Sequence, residues 1–136
     1  MEDIVLIVEA DVNPTESEEK VKKALENLFG AIPMQTKTSG KSSIVSSELK
    51  GRPALFEFRN LLRRDRIRDA ARKALFRETK GNTIKFCLNK QVALAGHVSF
   101  SEENSESPLG PIRVTIKCSD SQELINWLAP RIAYRE

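Results

Sequence analysis

Three short segments in the second half of the chain alternate apolar and polar residues with a period of two: TIKFCLN at 83–89, VALAGHVSF at 92–100 and IRVTIKC at 112–118. That period sends successive side chains to opposite faces of a pleated strand. Ile84, Phe86 and Leu88 make one apolar row, Val92, Leu94, Val98 and Phe100 a second, and Ile112, Val114 and Ile116 a third. The intervening positions carry Lys85, Asn89, His97, Ser99, Arg113, Thr115 and Lys117. Such strands call for an antiparallel sheet with one face covered and the other in water. IVLIVEADV at 4–12 is different, because its first half is apolar on both faces. It is expected at the centre of the sheet, and as a strand rather than a signal peptide, since it lacks a basic flank and runs into acids.

The covering layer is also legible. Thr15 and Glu18 have the spacing of a capping box, and Val21, Ala24, Leu25, Leu28 and Phe29 then repeat as the inner stripe of a helix. Gly30 and Pro33 stop it. Residues 34–42 are polar and turn-like, and 43–50 is predicted as a weak strand at an edge. After Gly51 and Pro53, ALFEFRNLL reads as a short helix, followed by a second helix over about 62–78 with Ile67, Ala70, Ala71, Ala74 and Leu75 inward. Lys90 and Gln91 are expected to turn a hairpin between 83–89 and 92–100. Ser119 and Gln122 suggest another capping box, opening a helix that points Leu124, Ile125 and Leu128 inward and ends at Pro130. Trp127 reads as its packing anchor. The expected order is β-α-β-α-α-β-β-β-α, a two-layer α+β sandwich with a mostly antiparallel sheet and helices on one face. At 136 residues it is expected to be one domain, 1–136.

Charge is distributed unevenly. The chain carries 22 Lys and Arg against 19 acids, a net of +3. Residues 59–80 alone hold nine cations and three acids, a net of +6, so the remainder is acidic. On a helix over 62–78, Arg66, Lys73 and Arg77 line one outer edge and Arg68 and Arg72 the other, with Phe76 projecting between them. Arginines on two edges could straddle a phosphate backbone while Phe76 stacks on a base. The competing reading is a solvated helix whose arginines pair with Asp65 and Asp69. The Asn89-Lys90-Gln91 turn has the same two readings: amide and ammonium groups turned to nucleic acid, or local backbone partners with an exposed lysine.

Other chemistry finds little support. Cys87 and Cys118 lack metal-site spacing and read as thiols in a reduced cytoplasm. His97 is the sole histidine, in the polar phase of its segment, with no nucleophile or carboxylate placed beside it by sequence. There is no Walker or dinucleotide fingerprint, and Ser39-Gly40-Lys41-Ser42 is too short to cradle phosphate. No apolar run approaches the ~20 residues of a membrane span. Catalytic residues, metal sites, cofactors and a small-molecule substrate are therefore not expected.

Five blocks carry a resemblance: PTESEEKVKKALENLF (14–29), RDRIRDAARKAL (64–75), FCLNKQVALAGHVSF (86–100), ESPLGPIRVTI (106–116) and ELINWLAP (123–130). They resemble an archaeal family of small conserved proteins labelled predicted RNA-binding or exosome-associated. The resemblance implies a fold similar to the ribosomal protein that binds 5S rRNA. It matches the family at Asn89, Lys90 and Gln91 and at Pro108, Leu109, Gly110 and Pro111, and supplies no catalytic residue. The expectation is a non-enzymatic, cytoplasmic RNA-binding or ribonucleoprotein-associated protein. Its phosphate contacts would be Arg63, Arg64, Arg66, Arg68, Arg72, Lys73 and Arg77, with Lys90 and Gln91 as a second contact. The alternative is a structural or protein-interaction module, a homodimer, with no nucleic-acid role.

Overall fold

β1 (Val5–Val12) lies between β3 (Ser42–Lys50) and β7 (Ile112–Lys117), antiparallel to both. The computed structural model describes residues 3–40, 42–101 and 110–131. β2 (Gln35–Ser39) continues the sheet beyond β3, and β5 (Thr83–Leu88) continues it beyond β7. The far side of β5 is shared by two short strands, β4 (Thr79–Lys80) and β6 (Phe100–Ser101). All seven strands are antiparallel to their neighbours.

Register explains the two faces. Leu88, Ile112, Ala10 and Val45 pair across four strands in one row, and Phe86, Val114, Val8 and Ser47 in the next. All eight are buried. Between them run rows such as Cys87, Arg113, Glu9, Ser46 and Gln35, none of which is buried. One face is therefore core and the other is open and mixed in charge, as alternation requires.

The helices α1 (Glu18–Phe29), α2 (Phe56–Arg64), α3 (Arg68–Arg77), α4 (Lys90–Leu94) and α5 (Ser121–Leu128) all contribute to the same core cluster as the inner rows. A 3-10 turn at Arg52–Leu55 leads from β3 into α2. Four aromatic rings make a continuous line that runs through the core. Phe29 meets Phe58 at 5.4 Å, Phe58 meets Phe86 at 5.7 Å, and Phe86 meets Phe100 at 5.6 Å between centroids. That line ties α1 through α2 to β5 and β6, with geometry typical of favourable ring pairs.

The α+β class, the central 4–12 strand, the strands at 83–89 and 112–118, and the inward faces of the first and last helices agree with expectation. Several details differ. The polar stretch 34–42 holds β2, which hairpins onto β3 at Gly40 (φ 65°), so β3 is interior rather than an edge. No strand fills 92–100. Asn89 caps α4 by accepting from Val92 N–H at 2.9 Å, and the turn expected at Lys90 and Gln91 is the first turn of this helix. Only Phe100 and Ser101 are extended there. The caps are also shifted, with Ser17 serving α1 in place of Thr15, and Asp120 serving α5 in place of Ser119.

The two helices of the basic segment meet at 65–67 rather than near 62. α2 ends in a Schellman motif, with Ile67 N–H on Leu62 C=O and Arg66 N–H on Arg63 C=O, each at 3.2 Å. The residue in the left-handed position is Arg66 (φ 56°), where glycine is usual. α4 ends the same way, with Gly96 (φ 89°) in that position. Ala70 is exposed rather than inward. Phe76 is half-buried against the core rather than projecting outward. Pro108 and Leu109 lie outside the described residues.

Candidate nucleic-acid interface

The two Schellman ends face each other, and Asp65 pins them. Its carboxylate accepts from Val98 N–H at 3.2 Å, from Arg64 Nε at 3.1 Å, and from His97 Nδ1 at 3.3 Å. Arg64 also donates to Gly96 C=O. Burial acts to raise the Asp65 carboxyl, but the Val98, Arg64 and His97 hydrogen bonds and the Arg64 charge outweigh it and hold it below its ordinary value. The joint between α2 and α3 is thus anchored to the segment after α4.

Around this joint the predicted cations divide by exposure. Arg63, Arg64 and Arg66 are exposed at the end of α2 and over the joint. Lys73 and Arg77 stand one turn apart on the outer side of α3 and are also exposed. In chain order these exposed cations run from the end of α2 along α3. Arg64 is partly committed to Asp65, and Arg77 has only a loose contact with Glu78 at 3.9 Å.

The second expected edge is turned inward. Arg68 and Arg72 are half-buried. Arg72 donates to Ala129 C=O at 3.2 Å and lies over the Phe76 ring at 5.0 Å. Arg59 donates to Trp127 C=O at 2.9 Å, so two arginines serve the C-terminal carbonyls of α5, which carry its partial negative charge. Trp127 lies under two guanidinium groups, Arg52 at 4.7 Å and Arg59 at 5.1 Å, and Arg52 forks onto Glu123. The tryptophan anchors the last helix, as its sequence context implies.

Lys90 is not at the surface. Its ammonium donates to Asp11 C=O at 2.7 Å and to both Glu16 oxygens at 3.1 and 3.2 Å, and the side chain is 6% exposed. Burial and these partners remove it from the surface contact expected of it, while neighbouring Gln91 remains exposed. Sequence reasoning missed this knot and the Asp65–His97 pair, because each joins segments far apart in the chain. Cys87 and Cys118 are not joined by a disulfide. Among the described residues, no group of His, Cys, Asp and Glu could hold a metal, and no helix is long and apolar enough to cross a membrane.

Comparison with known proteins agrees with this architecture. A family model described as RNA binding matches residues 5–118. A UPF0201 protein of Sulfurisphaera tokodaii is 45% identical over 94% of this chain and 88% of its own length. One from Sulfolobus acidocaldarius is 41% identical over the same shares. The crystal structure of a UPF0201 protein from Methanococcus jannaschii superposes with a TM-score of 0.83 at 32% identity, covering 95% of both chains. A DUF54 protein from Methanothermobacter thermautotrophicus, at 20% identity and a TM-score of 0.65 over 95% of this chain and 99% of its own, shares the fold. The chain belongs to the UPF0201 family of archaeal proteins.

Proposed function

We propose that this protein binds RNA, without acting as an enzyme, along the exposed ridge of Arg63, Arg64, Arg66, Lys73 and Arg77. The observation that carries the reading is Arg66. A left-handed backbone costs an L-residue other than glycine roughly 1–2 kcal/mol. The helix ending at α4 uses glycine at the same point of the same motif, whereas the ridge has an arginine. Strain retained at an exposed cation is a functional signal, because it persists against stability. The family model's description as RNA binding supports the same reading.

Gel-shift and anisotropy assays with mixed RNA at 50 mM salt test it. If Arg63, Arg66, Lys73 and Arg77 meet phosphates, log affinity falls against log salt with a slope of about −3 to −3.5. Changing Arg66, Lys73 and Arg77 to alanine together should remove most of that slope. Binding and slope unchanged in the triple variant would refute the proposal. A change in light-scattering mass on Arg66→Glu, without RNA binding, would favour a self-associating module instead.

A further inference from the structure

We infer that the cleft beside β5 receives one unpaired nucleotide of an RNA strand whose backbone follows the ridge, an inference that rests on the RNA-binding reading above. The cleft measures about 680 Å³, within the range of small-ligand sites. It opens where β5 lacks an outer neighbour. β4 pairs as far as Ile84 and β6 begins at Cys87, so among the described residues no strand partners Lys85 or Phe86 on that side.

Three features suit a base. The Ser101 hydroxyl lines the cleft, is buried, and has no hydrogen-bond partner among the described residues. A serine hydroxyl can donate and accept, which matches the mixed edge of a nucleobase. Phe100 is half-buried in the wall as the last ring of the core aromatic line, fixed against Phe86, and offers a π-face for stacking. Glu9 and Glu78 also line the site, so the cleft suits a neutral base better than a phosphate. The phosphate belongs at the mouth, where Arg77 is both the end of the ridge and part of the wall, and Lys85 is exposed. Arg113 is already engaged by Asp11 at 3.2 Å and by Glu9 at 3.8 Å, and is not assigned a phosphate.

A base that must leave a helix to enter the cleft makes single strands the preferred ligand. The test is anisotropy at 50 mM salt with a dye-labelled ten-nucleotide oligoadenylate and a ten-base-pair RNA duplex. The single strand should bind at least tenfold more tightly. Phe100→Leu and Ser101→Ala, checked for native circular dichroism, should each weaken single-strand binding, the former by roughly 5- to 150-fold, and leave duplex binding unchanged. Equal affinity for both RNAs, or no effect of Phe100→Leu, overturns the cleft while leaving the ridge intact. If neither RNA binds, the ridge reading fails and the cleft, which needs the strand that the ridge holds, is overturned with it.

Discussion

Replacing Lys90 with methionine should destabilise the fold severely without a direct effect on RNA binding. The substitution keeps an unbranched, mostly apolar side chain but deletes the ammonium. Three acceptors lose their donor at once: Asp11 C=O and both oxygens of Glu16. Glu16, whose side chain is 10% exposed, would keep the bonds from Asn13 N–H at 2.9 Å and Asn13 Nδ2 at 2.8 Å, but no cation at this contact. Breaking a buried pair from one side costs about 3–5 kcal/mol, against a total stability of roughly 5–15 kcal/mol for a domain. With about 2.1 cal/mol/K of unfolding entropy per residue over 136 residues, that corresponds to a fall in Tm of roughly 10–17 °C. Urea unfolding followed by circular dichroism gives the free energy directly. Adding Glu16→Gln to Lys90→Met should cost less than the two single changes summed, because the second removes the orphaned charge. A loss below about 1 kcal/mol for Lys90→Met would refute the reasoning, since it would mean that the ammonium is effectively hydrated in the folded protein.

Arg66→Gly should stabilise the protein by about 0.5–1 kcal/mol in the same urea assay, the relief of left-handed strain exceeding the extra freedom of glycine in the unfolded chain, while weakening RNA binding at low salt. Asp65 has a folded pKa below its ordinary value, so its contribution to stability is fully present above the usual carboxylate range and is lost progressively as pH falls from that range through the lower folded value. Asp65→Asn should therefore lower Tm at pH 7, and the gap from wild type should begin to narrow below about pH 4 and keep narrowing as the pH falls further. Arg59→Ala removes both the donor to Trp127 C=O and one of the guanidinium groups over the indole, and should cost about 1–2 kcal/mol. Trp127 is the sole tryptophan, so a red shift of its emission reports the loosening of α5.

Elements whose periodicity extended over enough residues were legible in the sequence. β5 and β7 follow their alternation, β1 its run apolar on both faces, and α1 and α5 their stripes. Residues 92–100 were not, because Val92, Leu94 and Val98 satisfy a period of two by accident in a segment too short to exclude a helix. Asn89 as a cap and Gly96 as a stop were present as signals, but alternation outweighed them. The break between the two basic-segment helices was expected near 62, and its true place at 65–67 was hidden for the opposite reason: the stop position holds arginine instead of glycine. At the candidate interface the charges were legible and their exposure was not. Arg59 and Arg72 turn inward to serve the carbonyl end of α5, about sixty residues away, and Lys90 turns inward to Glu16 and Asp11. Only tertiary packing supplies such acceptors. Thr15 lost the cap to Ser17 while Glu16 was drawn into bonds with Asn13 and Lys90.

The rims of the sheet carry a consequence of their own. One rim is β2, five residues long with Lys37 at its middle, and the other is divided between two strands of two residues each. Neither offers an incoming chain a long, flat run of unpaired amides, and a charged residue at mid-strand is a recognised deterrent to strand addition. A free template for fibre growth is therefore missing at both described rims. Strand addition at the described rims is thereby disfavoured.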